Sequence, residues 1–322
     1  MASMSQFWSG RRVLVTGGNG FLGRVVVSAL SDAGADVLAP THDECDLTVP
    51  GRAESLFAAE KPSHVIHLAA RVGGIGYNQV DPARLYLDNL LMGTYVIEAA
   101  RAAGIEKTVL LGTVCSYPKF TPVPFREESL WDGYPEETNA PYGIAKKAHL
   151  LHAQVNAEQY GQHFAYLIPT NLYGPGDKFH PSVSHVIPAL IKKCVEAKES
   201  GAGHIDVWGT GSASREYLYV EDAARAIVVA AESHDGTEPI NLGADREITI
   251  RETAEAIAEV TGFTGTLRWD PSKPDGQPRR RIDPGRAADM LGWTARMDFR
   301  EGLRRTVDWY LANRELAEQA PR

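Results

Sequence analysis

The stretch "RRVLVTGGNGFLGRVVVSALSDAGADVLAP", residues 11–40, constrains this chain more than any other. Val13–Thr16 is a short run rich in β-branched residues, and a glycine turn follows it. Leu22, Val26, Ala29 and Leu30 then recur at helical spacing, Gly34 stops the helix, and Asp36–Ala39 begins another strand. The unit recurs: "SHVIHLAA" reads as a strand, "DNLLMGTYVIEAARAAG" as a helix and "KTVLLGT" as a strand. "PYGIAKKAHLLHAQVNAEQYG" reads as a helix and "HFAYLIPTN" as a strand. Such alternation implies a parallel sheet with helices on both faces.

The expected fold class is therefore α/β: a doubly wound parallel sheet of the Rossmann kind with a smaller C-terminal substrate-binding domain. Residues 11–175 form the expected dinucleotide-binding domain, with a return strand near 238–243 ("EPINLG"). After Tyr173 the texture changes to "GPGDKFHPSVSHVIP", rich in Gly, Pro and His, and 176–322 reads mainly as the substrate-binding region.

"TGGNGFLG" carries G-x-G-x-x-G as Gly18, Gly20 and Gly23, and a wider glycine pattern through Gly17. Glycines let the backbone turn sharply and approach a pyrophosphate, whose charge rests on free N–H groups of the helix N-terminus. Tight turns use glycine anyway, but here the loop follows a strand and opens a helix, the context that dinucleotide binding requires. An acid ending the second strand would favour NAD and a nearby arginine NADP. "LAPTHDECDL" places Pro40 and His42 there, so the cofactor is read as NADP or NAD. Asp46, followed by Leu47, is a candidate contact to the adenine, and equally a solvated loop acid.

The 322 residues carry a net charge of −8, which does not favour a phosphate-backbone partner, so no nucleic acid is expected. Three cysteines, Cys45, Cys115 and Cys194, lie far apart without C-x-x-C, which suits a reducing cytoplasm rather than a disulfide framework. The leader "MASMSQFWSG" has no apolar h-region and is expected to fray, and no stretch has the length of a membrane span. A soluble cytoplasmic protein is expected.

Tyr142 and Lys146 in "PYGIAKKA" lie four apart and share a helix face. A nearby ammonium stabilises a phenolate, drawing the tyrosine down from its usual pKa near 10 toward proton exchange with a sugar hydroxyl or ketone. Chance produces such pairs on surface helices. This one follows a nucleotide loop and a strand ending in Thr113, whose hydroxyl can hold the reacting oxygen against Tyr142. Cys115, on its own residues, reads as a small buried hydrophobe. His180 and His185 are spaced as a metal pair, but no cysteine or carboxylate cluster completes a site, so metal is rejected.

With these motifs the chain resembles the extended short-chain dehydrogenase/reductases acting on nucleotide sugars, and among them the bifunctional 3,5-epimerase/4-reductases. The resemblance rests on "TGGNGFLG", "HLAARVGGI", "GTVCSYPK", "PYGIAKKA", "PTNLYGPGDKFHPSVSHVIPAL", "VWGTGSASREYLYVED" and "KPDGQPRR", from residue 11 to about 310. It implies that Cys115 is the base and His185 the acid of epimerisation on opposite faces of a pyranose. A ketone at carbon 4 acidifies the hydrogens on carbons 3 and 5. A thiol, with an ordinary pKa of about 8.5 and cationic neighbours, suits such exchange. Thr113 and Tyr142 would stabilise the enolate oxygen; hydride from the nicotinamide then reduces carbon 4 while Tyr142 supplies the proton.

The resemblance also implies cofactor contacts from Gly17, Gly20, Phe21, Leu22, Gly23, Asp46, Leu47, Ala69, Ala70, Tyr142 and Lys146. It implies substrate contacts from Asn171, Val186, Lys193, Trp208, Arg215 and one of Arg279–Arg281, taken as Arg279, with guanidinium suited to the diphosphate. Against these stand plainer readings: Asn171 as a capping loop amide, Trp208 as core, "RRR" as a solvated run. NADP-preferring members carry arginines in the glycine loop and past the second strand, where this chain has Asn19 and Pro40–His42. A homodimer packed through the Tyr142/Lys146 helix is implied too. Three functions follow: an epimerase/reductase on an NDP-4-keto-6-deoxy-hexose, GDP-linked; an NAD-retaining nucleotide-sugar 4-epimerase on an NDP-hexose or NDP-heptose; and a non-catalytic dinucleotide-binding sensor.

Overall fold

The structure, a computed structural model, describes residues 6–73, 80–273 and 275–319. The first nine elements are β1 (Arg12–Thr16), α1 (Phe21–Asp32), β2 (Asp36–Leu38), α2 (Arg52–Glu60), β3 (His64–His67), α3 (Pro82–Ala103), β4 (Lys107–Leu111), α4 (Ala140–Tyr160) and β5 (Phe164–Pro169). Then come β6 (Asn171–Tyr173), α5 (Val186–Ser200), β7 (His204–Trp208), β8 (Ser214–Tyr219), α6 (Val220–Ser233), β9 (Pro239–Leu242) and β10 (Glu247–Thr249). The described chain closes with α7 (Ile250–Thr261), β11 (Thr266–Asp270), β12 (Arg279–Arg280), α8 (Gly285–Leu291), α9 (Phe299–Ala312) and the short α10 (Arg314–Ala317).

Six strands form one sheet in the order β2-β1-β3-β4-β5-β9, every pair parallel. Parallel sheets survive only when both faces are covered, and the strands show this residue by residue. Val13 and Val15 of β1 join Ile66, Val109, Ala165 and Leu167 under α1 and α6. Leu14, between them, points the other way and packs with Val65, Phe57, Met92 and Val96 beneath α2 and α3. On that second face Leu110, Tyr166 and Ile168 meet Leu150 of α4. A period of two thus feeds two cores from one strand.

The return to the main sheet is broader than one strand. Ala223, Ala226, Ile227 and Ala230 of α6, Ile240 and Leu242 of β9, and Ala287 and Leu291 of α8 all belong to the α1-side core. Spacing of i, i+3, i+4 and i+7 gives α6 the face to lie on α1. The remaining strands form a smaller sheet, β10-β8-β12 with β6 on β8, and a β7–β11 pair. Their separate core stacks Phe179 on Tyr310 at 4.3 Å and gathers Ile191, Ile257 and Leu303 from α5, α7 and α9.

The expectation of a fraying leader is corrected for residues 6–10. Residues 6–8 are helical, and Trp8 is fully buried with its ring 5.2 Å from that of His64, because an indole buries more apolar surface than a loose turn forfeits in entropy. Residues 1–5 lie outside the described residues, as does part of "HLAARVGGI" from Gly74.

Candidate active site

The strand ends and helix starts of the larger sheet gather the glycine loop and the Tyr142 helix. Gly17 has φ +70°, and a side chain there would put its Cβ 2.7 Å from the Ala69 amide nitrogen at the end of β3. At Gly23 a Cβ would overlap the Gly17 carbonyl oxygen. Gly20 caps α1 with no side chain accepting from the first turn, and that turn holds no acid. Close backbone approach and uncapped N–H groups fit a pyrophosphate. Phe21 and Ala69 line this loop half-buried, Leu22 and Leu47 sit in the two cores beneath it, and Ala70 follows Ala69. Asp46 spends one carboxylate oxygen on the Thr48 N–H (2.9 Å) and hydroxyl (2.7 Å), which holds its pKa below the usual range.

Tyr142 and Lys146 are both buried on α4. The ammonium stands 5.9 Å from the phenol ring centroid. The expected lowering of the tyrosine pKa is corrected. Burial dominates and pushes the phenol up, with Cys115 adding to the rise, while burial alone pulls Lys146 down to about 8. At 5.9 Å the lysine does not offset the loss of hydration around a phenolate.

Thr113 caps a short 3-10 turn, Val114–Ser116, its Oγ accepting from the Cys115 N–H at 3.2 Å. That turn is pressed onto α4: the Ser116 hydroxyl donates to the Gly143 carbonyl at 2.9 Å, and a Cβ on Gly143 would overlap the Cys115 carbonyl oxygen. Only a residue without a side chain lets the cysteine come this close to the tyrosine helix. From below, the Tyr117 hydroxyl donates to Asn241 of β9 at 2.8 Å. Cys115 is half-buried, not sealed in the core.

Two arginines flank the thiol. Arg215 of β8 is fixed by the carbonyls of Ser214, Gln277 and Asp275, and burial pulls its pKa down to about 10, with Arg280 adding to the fall. Arg280 Nη1 lies 3.8 Å from Cys115 Sγ. β12 pairs with β8 so that Arg280 stands opposite Arg215 and Arg279 opposite Ser214. Neighbours on a strand face opposite ways. Arg279 therefore turns to the other side and pairs with Glu247 at 2.8 Å. Of the three consecutive arginines, the strand register puts Arg280 beside the thiol.

His185 is the N-cap residue of α5, exposed and without a side-chain capping bond. Partial desolvation, then Lys178, lowers its pKa. The loop leading to it passes over the nucleotide loop at Gly176, near Phe21. Val186 follows, exposed. Asn171 donates to the Glu216 carbonyl at 2.9 Å. Lys193 and Trp208 lie farther out, the lysine donating to the Asp206 carbonyl at 2.8 Å and the indole 62% exposed, which excludes the core reading. Beneath them Glu216 is a latch that the sequence did not single out. It accepts from the amides of Ala244, Asp245 and Ile282 at 2.8, 2.8 and 2.9 Å, joining three segments, and burial raises its pKa to about 7.

A glycine cradle at the end of β1, with a tyrosine and lysine at its far rim, defines an NAD(P)-dependent oxidoreductase or epimerase. The pattern of the NAD dependent epimerase/dehydratase family matches residues 13–243, and the chain belongs to that family. It is 45% identical to GDP-L-fucose synthase 1 of Arabidopsis thaliana over 303 residues, 94% of each chain. It is 38% identical to GDP-L-fucose synthase of Escherichia coli (strain K12), covering 95% of this chain and 98% of that one. A GDP-L-fucose synthetase from Naegleria fowleri bound to NADP superposes with a TM-score of 0.88 at 29% identity, covering 97% of both chains. No helix among the described residues is long and apolar enough to cross a membrane.

Proposed function

We propose that this chain converts a GDP-linked 4-keto-6-deoxy-hexose by epimerisation at carbons 3 and 5 and NAD(P)H-dependent reduction at carbon 4. The observation that carries this reading is the thiol clamped beside the tyrosine helix at Gly143 with Arg280 3.8 Å away. A redox-neutral 4-epimerase uses the Tyr142/Lys146 pair and leaves such a thiol without a duty; a sensor needs neither. The names of the relatives at 38–45% identity agree with it.

Cys115 Sγ takes the proton from carbon 3 or 5, and His185 returns one to the opposite face. Thr113, whose oxygen already accepts from Cys115 N–H, donates its hydroxyl hydrogen to the carbon 4 oxygen. Tyr142 donates there too, and its raised pKa keeps it protonated and ready to do so. The nicotinamide, when bound, supplies the hydride. Lys146, lowered by burial only to about 8, would hold the nicotinamide ribose and the tyrosine in place. Arg215 and Arg280 offset the charge of the diphosphate and of the thiolate. Lys193, Val186, Asn171 and Trp208 extend the sugar-nucleotide site outward. The working form is a cytoplasmic homodimer, its contact made by the exposed apolar residues Leu87 of α3 and Leu151 and Val155 of α4.

The test mixes the protein with GDP-4-keto-6-deoxy-mannose and NADPH or NADH and follows the nicotinamide absorbance. Stoichiometric oxidation is expected, with solvent deuterium entering carbons 3 and 5. Cys115→Ser is expected to lose that deuterium while retaining some simple ketone reduction. Wild-type exchange in this variant removes the cysteine from the mechanism, and absence of any oxidation ends the reading.

A further inference from the structure

Glu216 is fully buried on β8, and the steps proposed for the reaction leave it without a part. Neighbours on a strand face opposite ways, so it turns from the side on which Arg215 flanks the thiol. Its Oε1 accepts from the successive N–H groups of Ala244 and Asp245, both at 2.8 Å. Asp245 has φ +55°, in the left-handed region, and successive amides turned this way form an anion-binding nest. The group seated in it is the chain's own carboxyl. Gly243 makes room for that group, since a Cβ there would lie 2.7 Å from Oε1. Oε2 accepts from the Ile282 N–H at 2.9 Å.

These contacts converge on the segment that carries Arg280. β12 is only two residues long, Arg279 opposite Ser214 and Arg280 opposite Arg215, too short to fix its own register. Ile282, two residues beyond Arg280, is fully buried and bridged to Phe125. The Phe125 N–H donates to the Arg281 carbonyl and its carbonyl accepts from the Asp283 N–H, both at 2.8 Å. Arg281 pairs with Asp245, the residue whose N–H lines the nest. Glu216 thus anchors both residues that follow Arg280, Ile282 directly and Arg281 through Asp245. A slip of one residue would turn Arg280 to the opposite face, away from Cys115 Sγ, which now lies 3.8 Å from its Nη1.

We propose that Glu216 is a positioning residue for the reaction: its carboxyl group seats Ile282 and Asp245 and so fixes the register that holds Arg280 at the Cys115 thiol. The inference rests on the reading of Cys115 and Arg280 above and extends it to a residue that touches neither thiol nor substrate.

The test measures the KM for GDP-4-keto-6-deoxy-mannose and the entry of solvent deuterium at carbons 3 and 5 in Glu216→Gln, Arg280→Gln and the double variant. Glutamine keeps the volume but sets an N–H donor against an N–H, so the nest or Ile282 loses its acceptor. Glu216→Gln is expected to raise KM roughly tenfold and to slow deuterium entry, with affinity for the nicotinamide dinucleotide unchanged. The double variant should stay within about twofold of Arg280→Gln, because no arginine is left to place. Multiplied single effects, roughly a hundredfold in KM, would mean that Glu216 acts apart from Arg280 and overturn the proposal. An unchanged KM in folded Glu216→Gln, or an equal loss of dinucleotide affinity, overturns it too. Should that variant not fold, Glu216→Asp keeps the charge with a shorter reach and carries the same comparison. Loss of fold in both makes the carboxyl a support of the whole fold rather than of Arg280, and the proposal falls. Wild type that takes up no deuterium fails the reading of Cys115, and the proposal with it.

Discussion

The proposed nucleotide half and the proposed sugar half of this molecule are built by different means. Around β1, α1, β3 and α4 the site is made of backbone brought close: Gly17 against Ala69, Gly23 against Gly17, Gly143 against Cys115. Around β8, β12 and the chain after β6 it is made of charged side chains held by distant partners. Arg215 is tied to Asp275 and Gln277, and Glu216 to Ala244 and Ile282. Close backbone approach has no tolerance for added atoms, whereas a charged network can lose one member and keep its shape. Damage to the first half should therefore be abrupt and damage to the second graded.

The largest effect belongs to the proton donor between the halves. Tyr142→Phe is expected to slow hydride transfer by a factor of roughly 10²–10⁴, measured by stopped-flow absorbance of the nicotinamide, because it removes general acid catalysis with little change of volume. Deuterium exchange driven by Cys115 should fall less, since Thr113 still meets the oxygen. Equal losses in both would mean that the thiol has no function independent of the phenol.

Gly143→Ala comes next and tests abruptness directly. The added methyl overlaps the Cys115 carbonyl, so the 3-10 turn must leave α4. Overpacking of this kind costs about 1–3 kcal/mol, visible in a denaturant midpoint, and should carry the exchange activity down with it. An unchanged midpoint with full activity would show that the turn yields freely.

How far each half was legible follows from the same difference. The glycine loop, the Tyr142/Lys146 spacing and the strands of the large sheet depend on residues within a few positions of one another, so pattern alone placed them. The phenol's raised pKa depends on total burial, which spacing does not encode. Arg280 and Arg279 are adjacent and chemically identical; only the pairing of β12 with β8, more than sixty residues back, turns one to the thiol and the other to Glu247. The breadth of the return to the main sheet was hidden likewise: Ala287 and Leu291 reach the α1 core from a short helix that sequence does not connect to it. Cys115 was legible only through a family resemblance, since its partners come from three separate segments.

Graded loss is sharpened by that arginine pair. Arg280→Gln should raise the KM for the GDP-sugar about tenfold, one charge-assisted hydrogen bond, with a smaller change in kcat. Arg279→Gln, on the opposite face, should leave both within about twofold. Equal effects of the two would mean that the strand register has been read wrongly, and would return the substrate contact to Arg279.

The smallest effect separates the halves by pH. Burial depresses the pKa of His64 to about 4 and of His149 to about 3, and holds His67 well below its ordinary value, all in the nucleotide half. Each stays neutral in the fold while the unfolded chain takes up a proton below about 6.5, so acidification from there toward pH 4 removes stability. Burial raises Glu216 and Asp177 in the sugar half to about 7. These take up protons in the fold before the unfolded chain does, so the same acidification from pH 7 to about 4.5 adds stability. Hydrogen exchange between pH 7 and pH 5, corrected for intrinsic rates, should show protection falling in peptides over β3 and α4 and rising over β8 and residues 174–179. Each linked proton changes it by at most about tenfold per pH unit. Movement of both sets in one direction would mean that the halves open together, and the contrast drawn between them would not extend to their stability.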